Sequence, residues 1–281
     1  MRLLHGKPLA EKLQERSRQR SDALRARGIA PRLAAVSVGI DPAANTYLQR
    51  LIARGKKLGV AVEDTPLPGD ASERQLIATL ERLGADRRTH GILLLTPLPG
   101  ALDEGHVVDH IAPAKDVEGM NPFNVGLLAD GRPRFVPSTA EAVVELLKFH
   151  GVPLRGARAT VIGRSTVVGR PAADLLLSED ATVTIAHSRT ADLPAVTRSA
   201  DVVVVAIGRA GFLRGEMLSP GATVIDAGIN VTPKGVVGDV DVESVSSVAG
   251  ALSPVPGGVG AVTTELLLRN VLTAAERQQQ D

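Results

Sequence analysis

The chain has 281 residues, of which 44% are hydrophobic and 22% charged, which is typical of a globular protein long enough for two domains. Its 32 basic and 31 acidic residues give a net charge of +1 without a block of either sign, so no nucleic-acid or membrane surface is predicted. The absence of cysteine excludes disulfides, zinc–thiolate sites and thiol catalysis, and it is compatible with the cytoplasmic location that we expect.

The first half of the chain alternates between helical and strand patterns. The predicted elements are a helix at 7–27, a strand at 32–38, a helix from the cap Asp41 to about 58, a strand at 60–65, a helix at 72–83, a strand at 91–95 and a short helix at 104–111. This βα alternation predicts a parallel sheet covered by helices.

A second series of elements follows the break at 130–133, Asp-Gly-Arg-Pro. It consists of a helix from 138 or 139 to 150, strands at 159–162, 182–186, 202–206 and 223–226 with helices between them, and a last helix near 261–277. We therefore predict the α/β class with two domains, residues 1–137 and residues 138–264. The C-terminal helix, 265–281, is expected to join the first domain, because it needs a surface on which to bury its leucines.

Gly163 ends a β-branched run, and Gly169 opens an Ala/Leu-rich segment after a short polar turn. Strand, turn and helix start in this order predict a phosphate-binding βα junction, where glycines admit the ligand and the helix N-terminus favours its charge. The spacing differs from G-x-G-x-x-G because five residues separate the two glycines. A plain βα turn whose glycines relieve close packing is the alternative.

Two further features predict no site. His106 and His110 are four residues apart, but no third ligand accompanies them, so we interpret them as a surface pair and predict no metal. The longest uncharged run, 244–264, is broken by prolines and glycines, so no membrane span is expected there.

Eight motifs occur together in a family-specific order. They are Asp41-Pro42-Ala43 before Tyr47, Thr96–Pro99, Lys115–Gly119, Pro137–Thr139, Gly163–Pro171, His187–Thr190, Gly238–Val240, and Pro254–Gly260 with Thr263. Over essentially the whole chain this order resembles the methylenetetrahydrofolate dehydrogenase/cyclohydrolase family. Pro-Val-Pro-Gly-Gly-Val-Gly is the most specific motif.

The resemblance implies a fold and a reaction. The first domain would provide a folate cleft, the second would be a Rossmann-type NAD(P)-binding domain, and the reduced folate would lie between them. Members of the family oxidise 5,10-methylenetetrahydrofolate to the methenyl form by hydride transfer to NADP, and most then hydrolyse that product to 10-formyltetrahydrofolate. The resemblance also implies a homodimer formed through the second domain.

The cofactor-binding residues follow from the resemblance together with the chemistry of the junction. They are Gly163, Arg164, Ser165, Val168, Gly169, Ser188, Arg189, Gly208 and Ile229. Arg164 and the pair Ser188 and Arg189 follow two consecutive predicted strands and can bind a ribose 2′-phosphate, whereas an acidic residue there would repel it. We therefore predict NADP rather than NAD, the alternative being that these arginines are solvated helix-end residues.

The substrate-binding residues follow from the resemblance. They are Tyr47, Pro97, Leu98, Pro99, Glu118, Pro256, Gly257, Gly258 and Thr263. Glu118 stands where the family has a pterin-binding aspartate. Plainer interpretations remain for several positions: Tyr47 as a packing residue, Glu118 as a solvated carboxylate, 254–260 as a structural loop, and Asp239 as a turn cap rather than a folate ligand.

Two catalytic positions depart from the family pattern. Leu51 stands at the position of the family's lysine, four residues after Tyr47, and Leu95 stands at that of its glutamine. With Tyr47 and Glu118 they make up the predicted catalytic positions. Arg50 and Arg54 lie near Tyr47 on the same helix, but arginine stays protonated and cannot transfer a proton.

Hydride transfer mainly requires alignment of the reactants and exclusion of water, so it depends less on the missing groups. We therefore predict an NADP-dependent methylenetetrahydrofolate dehydrogenase whose cyclohydrolase activity is weak or absent. The alternatives are the full bifunctional enzyme and a non-catalytic paralogue that binds NADP and folate.

Overall fold

The computed structural model describes residues 1–39, 41–100, 102–233 and 235–279, and its contacts divide the chain into two compact units. The N-terminal unit consists of Lys12–Val136 and Thr264–Asp281, and the C-terminal unit consists of Met1–Glu11 and Pro137–Thr263. The described helices and strands, in chain order, are β1 (Arg2–Leu3), α1 (Lys7–Ala26), β2 (Arg32–Val38), α2 (Pro42–Leu58), β3 (Ala61–Leu67), α3 (Glu73–Ala85), β4 (Gly91–Leu94), α4 (Glu104–Asp109), α5 (Pro122–Ala129), α6 (Ser138–Phe149), β5 (Arg158–Ile162), α7 (Gly169–Ser178), β6 (Thr182–Ala186), α8 (Leu193–Arg198), β7 (Val202–Val205), β8 (Thr223–Asp226), β9 (Asn230–Thr232), β10 (Gly235–Val237), α9 (Val242–Ser246), β11 (Ala251–Leu252) and α10 (Thr263–Arg277).

The N-terminal unit is built on a three-stranded sheet in the order β3-β2-β4. Both pairings are parallel, with Arg32 opposite Ala61 and Leu33 opposite Gly91, which confirms the predicted parallel sheet. Alternate residues of the central strand enter two separate hydrophobic clusters, Ala34 and Val36 in one and Leu33 and Ala35 in the other. The sheet is therefore covered on both faces, as parallel sheets generally are.

Helix α10 supplies much of the core on one face of this sheet. Its Leu267, Leu268, Val271 and Leu272 are fully buried in the cluster that contains Leu33. The last helix, which was predicted near 261–277, spans Thr263–Arg277 and packs in the N-terminal unit. The last two residues of the range 265–281 lie outside the described residues.

The C-terminal unit contains a six-stranded sheet in the order β1-β11-β8-β7-β5-β6, parallel throughout. After β5 the chain forms β6 on one side and then returns to form β7 on the other. Helices α7 and α8 make these connections. The strand order thus reverses between β5 and β7, and open parallel sheets bind ligands outside the carboxyl ends of the strands at such a point.

Residues 1–11 were predicted to belong to the first domain, and this is wrong. Strand β1 pairs in parallel with β11, and the Gly6 N–H donates to the Gly257 carbonyl at 2.8 Å, so this segment belongs to the C-terminal unit. A two-residue strand carries no periodicity, so its pairing was not predictable. Helix α5 was also missed, although Asn121 followed by Pro122 is a common helix start.

No helix in the described part of the chain combines the length and the apolar character that a membrane span requires.

Candidate active site

Gly163 lies at the carboxyl end of β5, at the point where the strand order reverses. Its φ of +126° is unfavourable for other residues, and a Cβ built there would lie 2.4 Å from the Ala206 carbonyl oxygen. A Cβ on Gly169 would in turn lie 2.4 Å from the Gly163 carbonyl oxygen. Both glycines therefore allow the start of α7 and the end of β7 to pack closely against the turn.

The turn between these glycines offers hydrogen-bond donors. The Ser165 Oγ accepts the N–H groups of Val168 and Gly169, each at 3.2 Å, and keeps its own O–H as a donor. Among the described residues, the N–H groups of Ser165, Thr166 and Val167 have no protein acceptor. Free amides and a hydroxyl at a helix start fit the negative oxygens of a pyrophosphate.

Three of the predicted cofactor residues lie at the ends of adjacent strands. Ile162 of β5 is opposite Ala186 of β6, and the Gly163 N–H donates to the Ala186 carbonyl at 2.9 Å. Arg164, Ser188 and Arg189 follow directly and are exposed. No ion pair joins either arginine to a carboxylate within the described ranges, so both guanidinium groups are available to an anion.

Gly208 belongs to the turn after β7, and Asp239 holds that turn. The fully buried Asp239 carboxylate accepts the N–H groups of Ile207, Gly208 and Arg209 at 2.7, 3.0 and 2.7 Å. The Asn230 side chain donates to it at 2.9 Å. Asp239 thus caps a turn at the predicted cofactor site, which supports the plainer of the two interpretations.

Asp226, at the end of β8, is a buried residue that the sequence analysis missed. Its carboxylate accepts the N–H groups of Gly228, Asp239 and Val240 at 2.9, 3.0 and 3.0 Å. Burial raises the pKa of this carboxyl, while these hydrogen bonds act in the opposite direction. An aspartate that ends a β-branched run was the available signal. The nearby Ile229, predicted to contact the cofactor, is 66% exposed.

Tyr47 and Glu118 are brought together in the N-terminal unit. Asp41 caps α2 by accepting the Ala44 N–H at 2.6 Å, and Tyr47 lies in the second turn, half-buried against the core cluster. Burial raises the pKa of the Tyr47 phenol above its ordinary value, and the negative charge of the half-buried Glu118 raises it further. The phenol therefore remains a hydrogen-bond donor at neutral pH.

Leu51 and Leu95 are both core residues. They are 0% and 7% exposed and belong to the same cluster, which also contains Leu48 and Leu268. Leu95 also lines a cavity of about 110 Å³ with Leu48, Pro97 and polar residues at the carboxyl ends of β2 and β3. The two positions where the family pattern has polar groups are thus filled by apolar side chains of one core cluster.

Arg54 is ion-paired with Glu265 and is therefore not a free cation for the predicted substrate site. Its Nε donates to the Glu265 Oε1, and Glu265 is only 1% exposed at the start of α10. The Glu265 Oε2 has no partner among the described residues. Burial raises the pKa of this carboxyl, and Arg54 opposes that change. Glu265 was missed because nothing in the sequence pairs it with Arg54. Arg50 is exposed.

The Lys-Asp-Val-Glu-Gly motif, 115–119, is held by its first two residues. The Lys115 Nζ donates to the Asp86 and Leu83 carbonyls at 2.7 and 3.3 Å, at the end of α3. The buried Asp116 accepts the Asn121 N–H and the Asn124 side-chain amide, both at 2.8 Å. These bonds fix the loop that carries Glu118.

The predicted substrate residues are divided between the two units. Tyr47, Pro97, Leu98, Pro99 and Glu118 belong to the N-terminal unit, and Pro256, Gly257, Gly258 and Thr263 belong to the C-terminal unit. The peptide bonds before Pro97 and Pro256 are cis, and both prolines are exposed. A Cβ on Gly6 would lie 2.1 Å from the Gly258 carbonyl oxygen, so the 254–260 loop also has a packing role.

His106 and His110 each hydrogen-bond to a carboxylate of α3. His106 contacts Glu73 at 2.8 Å and His110 contacts Glu81 at 3.1 Å, with the two rings 5.3 Å apart. The described residues contain no group of three side chains suited to a metal ion. Both histidines thus connect α4 to α3.

The fold and these sites define a two-unit α/β protein with a nucleotide-type junction at the switch point of a parallel sheet. Two family models match the chain: the tetrahydrofolate dehydrogenase/cyclohydrolase catalytic domain over residues 4–118, and its NAD(P)-binding domain over residues 137–279. The chain belongs to the tetrahydrofolate dehydrogenase/cyclohydrolase family, which confirms the resemblance and the predicted fold class.

Similar proteins are named as bifunctional, and the titles of two similar structures name the dehydrogenase and the cyclohydrolase. The "Bifunctional protein FolD" of Roseiflexus sp. is 50% identical over 278 residues, which are 98% of this chain and 96% of that protein. The bifunctional FolD structure from Campylobacter jejuni is 38% identical, covers 99% of each chain and has a TM-score of 0.96. The FolD structure from Trypanosoma brucei, complexed with NADP and an inhibitor, is 34% identical, covers 99% of this chain and 98% of its own, and has a TM-score of 0.93. These names favour the bifunctional alternative over the predicted loss of hydrolysis.

Proposed function

We propose that this chain oxidises 5,10-methylenetetrahydrofolate to the methenyl form with NADP as the hydride acceptor. The observation that carries the proposal is the pair of adjacent strand ends in the C-terminal unit. One presents the turn that begins at Gly163 and contains Arg164, and the other presents Ser188 and Arg189; all three side chains are exposed. The NADP-bound relative from Trypanosoma brucei supports this cofactor.

The residues of the C-terminal unit divide the binding of NADP between them. The free amides after Gly163 and the Ser165 hydroxyl would bind the pyrophosphate, and Val168 and Gly169 would form the start of the helix behind it. Arg164, Ser188 and Arg189 would bind the 2′-phosphate, because two cations and a hydroxyl suit a dianion. Gly208 and Ile229 would line the remainder of the cofactor.

The N-terminal unit would bind the folate. Tyr47 would donate from its neutral phenol, and the Glu118 carboxylate would accept from the N–H groups of the pterin ring. Pro97, Leu98 and Pro99 would contact the flat ring. Pro256, Gly257, Gly258 and Thr263, which belong to the C-terminal unit, are the other proposed substrate-binding residues. With NADP as hydride acceptor, the protein's contribution to oxidation is alignment and exclusion of water.

The hydrolytic step has two candidate outcomes. The bifunctional alternative is supported by the names of the relatives, which are close over nearly the whole chain. Weak or absent hydrolysis is supported by Leu51 and Leu95, because neither side chain can transfer a proton or polarise the folate. Their burial in one core cluster leaves no protein polar group at those two positions.

Parallel assays of the two reactions test these proposals. Purified protein is given methylenetetrahydrofolate with NADP, and NADPH formation is followed; separately, loss of methenyltetrahydrofolate is measured against buffer. We expect NADPH formation. Binding of NADP without any reduction would instead indicate the non-catalytic paralogue, and enzyme-dependent loss of the methenyl compound would establish the bifunctional alternative.

Restoring the family residues tests the reason for a weak hydrolase. If hydrolysis is weak, Leu51→Lys together with Leu95→Gln should raise it, whereas Leu58→Lys, equally buried in the same cluster, should not. Absence of any gain, in a variant that still reduces NADP, would show that Leu51 and Leu95 are not sufficient to explain the difference.

We also propose a homodimer and a cytoplasmic location, both from family membership. Light scattering during size-exclusion chromatography tests the first: a mass of one chain at micromolar concentration would contradict it. Fractionation of the source cells tests the second.

A further inference from the structure

His187 closes the turn that follows β6. Its carbonyl accepts the Thr190 N–H at 2.9 Å, and its own N–H donates to the Thr190 Oγ1, also at 2.9 Å. The ring Nδ1 of His187 accepts the N–H of Arg189 at 3.1 Å. Three hydrogen bonds thus close a four-residue turn, and its two corner residues, Ser188 and Arg189, are exposed.

The His187 ring accepts the N–H of the residue two positions ahead. Asparagine and aspartate side chains often accept the N–H two residues ahead in the chain, and this bond stabilises a turn. The Nδ1 of His187 makes the same bond, so the half-buried imidazole here acts as an acceptor. Because Nδ1 accepts, the neutral ring carries its hydrogen on Nε2.

We propose that His187 is a positioning residue for cofactor specificity: its Nδ1 holds the turn that presents Ser188 and Arg189, beside Arg164, to the 2′-phosphate of NADP. The inference rests on the proposed NADP site and deepens it. Without the Nδ1 acceptor, the Arg189 N–H loses its hydrogen bond, and Ser188 and Arg189 become more mobile. Part of the free energy of binding the 2′-phosphate is then spent on ordering the turn.

The proposal predicts different effects on the binding of NADP and of NAD. NAD lacks the 2′-phosphate, so its binding does not depend on the order of this turn. Loss of the Nδ1 acceptor should therefore weaken NADP and leave NAD unchanged, whereas general damage to the sheet would weaken both. A shift in the ratio of the two cofactors is a readout that a purely structural role would not produce.

The test compares His187→Asn, which keeps an acceptor at the same place in the side chain, with His187→Leu, which has a similar size and no acceptor. We expect His187→Leu to lower kcat/KM for NADP about tenfold, through KM, because the loss corresponds to about one hydrogen bond. His187→Asn should stay within about twofold of the parent protein. The kcat with NADP and the values with NAD should not change in either variant.

Binding of adenosine 2′,5′-bisphosphate, measured by calorimetry with 5′-AMP as the control, tests the proposal without turnover, because the two compounds differ only in the 2′-phosphate. His187→Leu should bind the 2′-phosphorylated compound more weakly and 5′-AMP equally. The proposal is overturned if the parent protein does not prefer the 2′-phosphate, if both variants are equally impaired, or if both nucleotides weaken together. Failure of folate oxidation alone would refute the proposed function and leave this binding comparison intact.

Discussion

Tyr47 is the only tyrosine in the chain, and the chain has no tryptophan, so the ultraviolet spectrum reports on this one phenol. The phenol lies half-buried against the core cluster and is influenced by the charge of Glu118. At the residue scale, this is the group whose protonation can be followed without labels. Its protonation state also decides whether the proposed folate site contains a donor.

We expect no phenolate absorbance from the folded protein as the pH passes 10.0, the ordinary pKa of tyrosine, because burial and Glu118 raise the Tyr47 pKa. Since the folded pKa is raised, the stability contributed by the neutral phenol is present below pH 10 and is lost as the pH rises through the folded value. Ultraviolet titration checks this, with Tyr47→Phe as the blank. A phenolate signal at the ordinary pKa in folded protein would contradict the assignment.

Gly163→Ala should both destabilise the protein and weaken NADP binding. The added Cβ would meet the Ala206 carbonyl oxygen at 2.4 Å, at a φ of +126°. We expect a loss of about 2 kcal/mol or more, measured by urea unfolding. Gly156→Ala is the matched control: its φ is +74° and nothing lies within 4 Å of the added Cβ, so only about 1 kcal/mol should be lost. Equal losses would show that the contact with Ala206 is unimportant.

At the element scale, α2 and α10 share one apolar cluster and one ion pair. Arg54 is 30% exposed at its side chain, whereas Glu265 is 2% exposed, so the two members of the pair differ strongly in their access to water. Removing the exposed partner leaves a buried charge without compensation, but removing the buried partner leaves an arginine that water can reach. The pair is therefore energetically asymmetric.

Arg54→Ala should lower the free energy of unfolding by about 3 to 5 kcal/mol, because it leaves the Glu265 carboxylate buried without a partner. Glu265→Ala should cost less, and the double variant should be close to Glu265→Ala alone. Urea unfolding of the four proteins measures this cycle. Arg132→Ala, which removes an exposed surface pair with Asp130, is the control and should cost less than about 1 kcal/mol. An additive cycle would show that the pair is not coupled.

At the scale of the whole molecule, each unit is completed by a segment distant in sequence. Residues 1–11 add an edge strand to the C-terminal unit, and α10 adds core residues to the N-terminal unit. Asn270 of α10 donates to the Val117 and Val136 carbonyls at 2.9 and 3.3 Å, next to the loop that carries Glu118. The folate-binding part of the proposed site therefore depends on the last helix.

A fragment of residues 12–136 should not fold cooperatively, because it lacks α10. Four fully buried side chains of that helix, each worth about 1.5 to 3 kcal/mol, would be missing from a unit whose expected stability is about 5 to 15 kcal/mol. Joining residues 264–279 to the fragment through a short Gly/Ser linker should restore a cooperative transition. Circular dichroism during urea titration tests both. A cooperative transition in the shorter fragment would refute the dependence on α10.

Local patterns in the sequence predicted most of the elements. The strand at 32–38 and the cap at Asp41 agree with the structure, because short apolar runs and N-cap residues act over a few positions. The Gly163 turn was likewise predicted from residues that are close in sequence. The predicted site residues come from motif order. The structure places Arg164 and Ser188 after the adjacent strands β5 and β6, and the charge of Glu118 acts on Tyr47.

By itself, the sequence determined the α/β class, the family and the two leucines that replace the family's polar residues. Only the tertiary structure decided that residues 1–11 complete the second sheet, that Asp239 holds the turn at Gly208, and that Glu265 forms an ion pair with Arg54. The physical reason is that each of these is a pairing between separate segments of the chain. A single buried carboxylate leaves no periodic pattern in the sequence, and the fold decides which groups come within hydrogen-bonding distance of it.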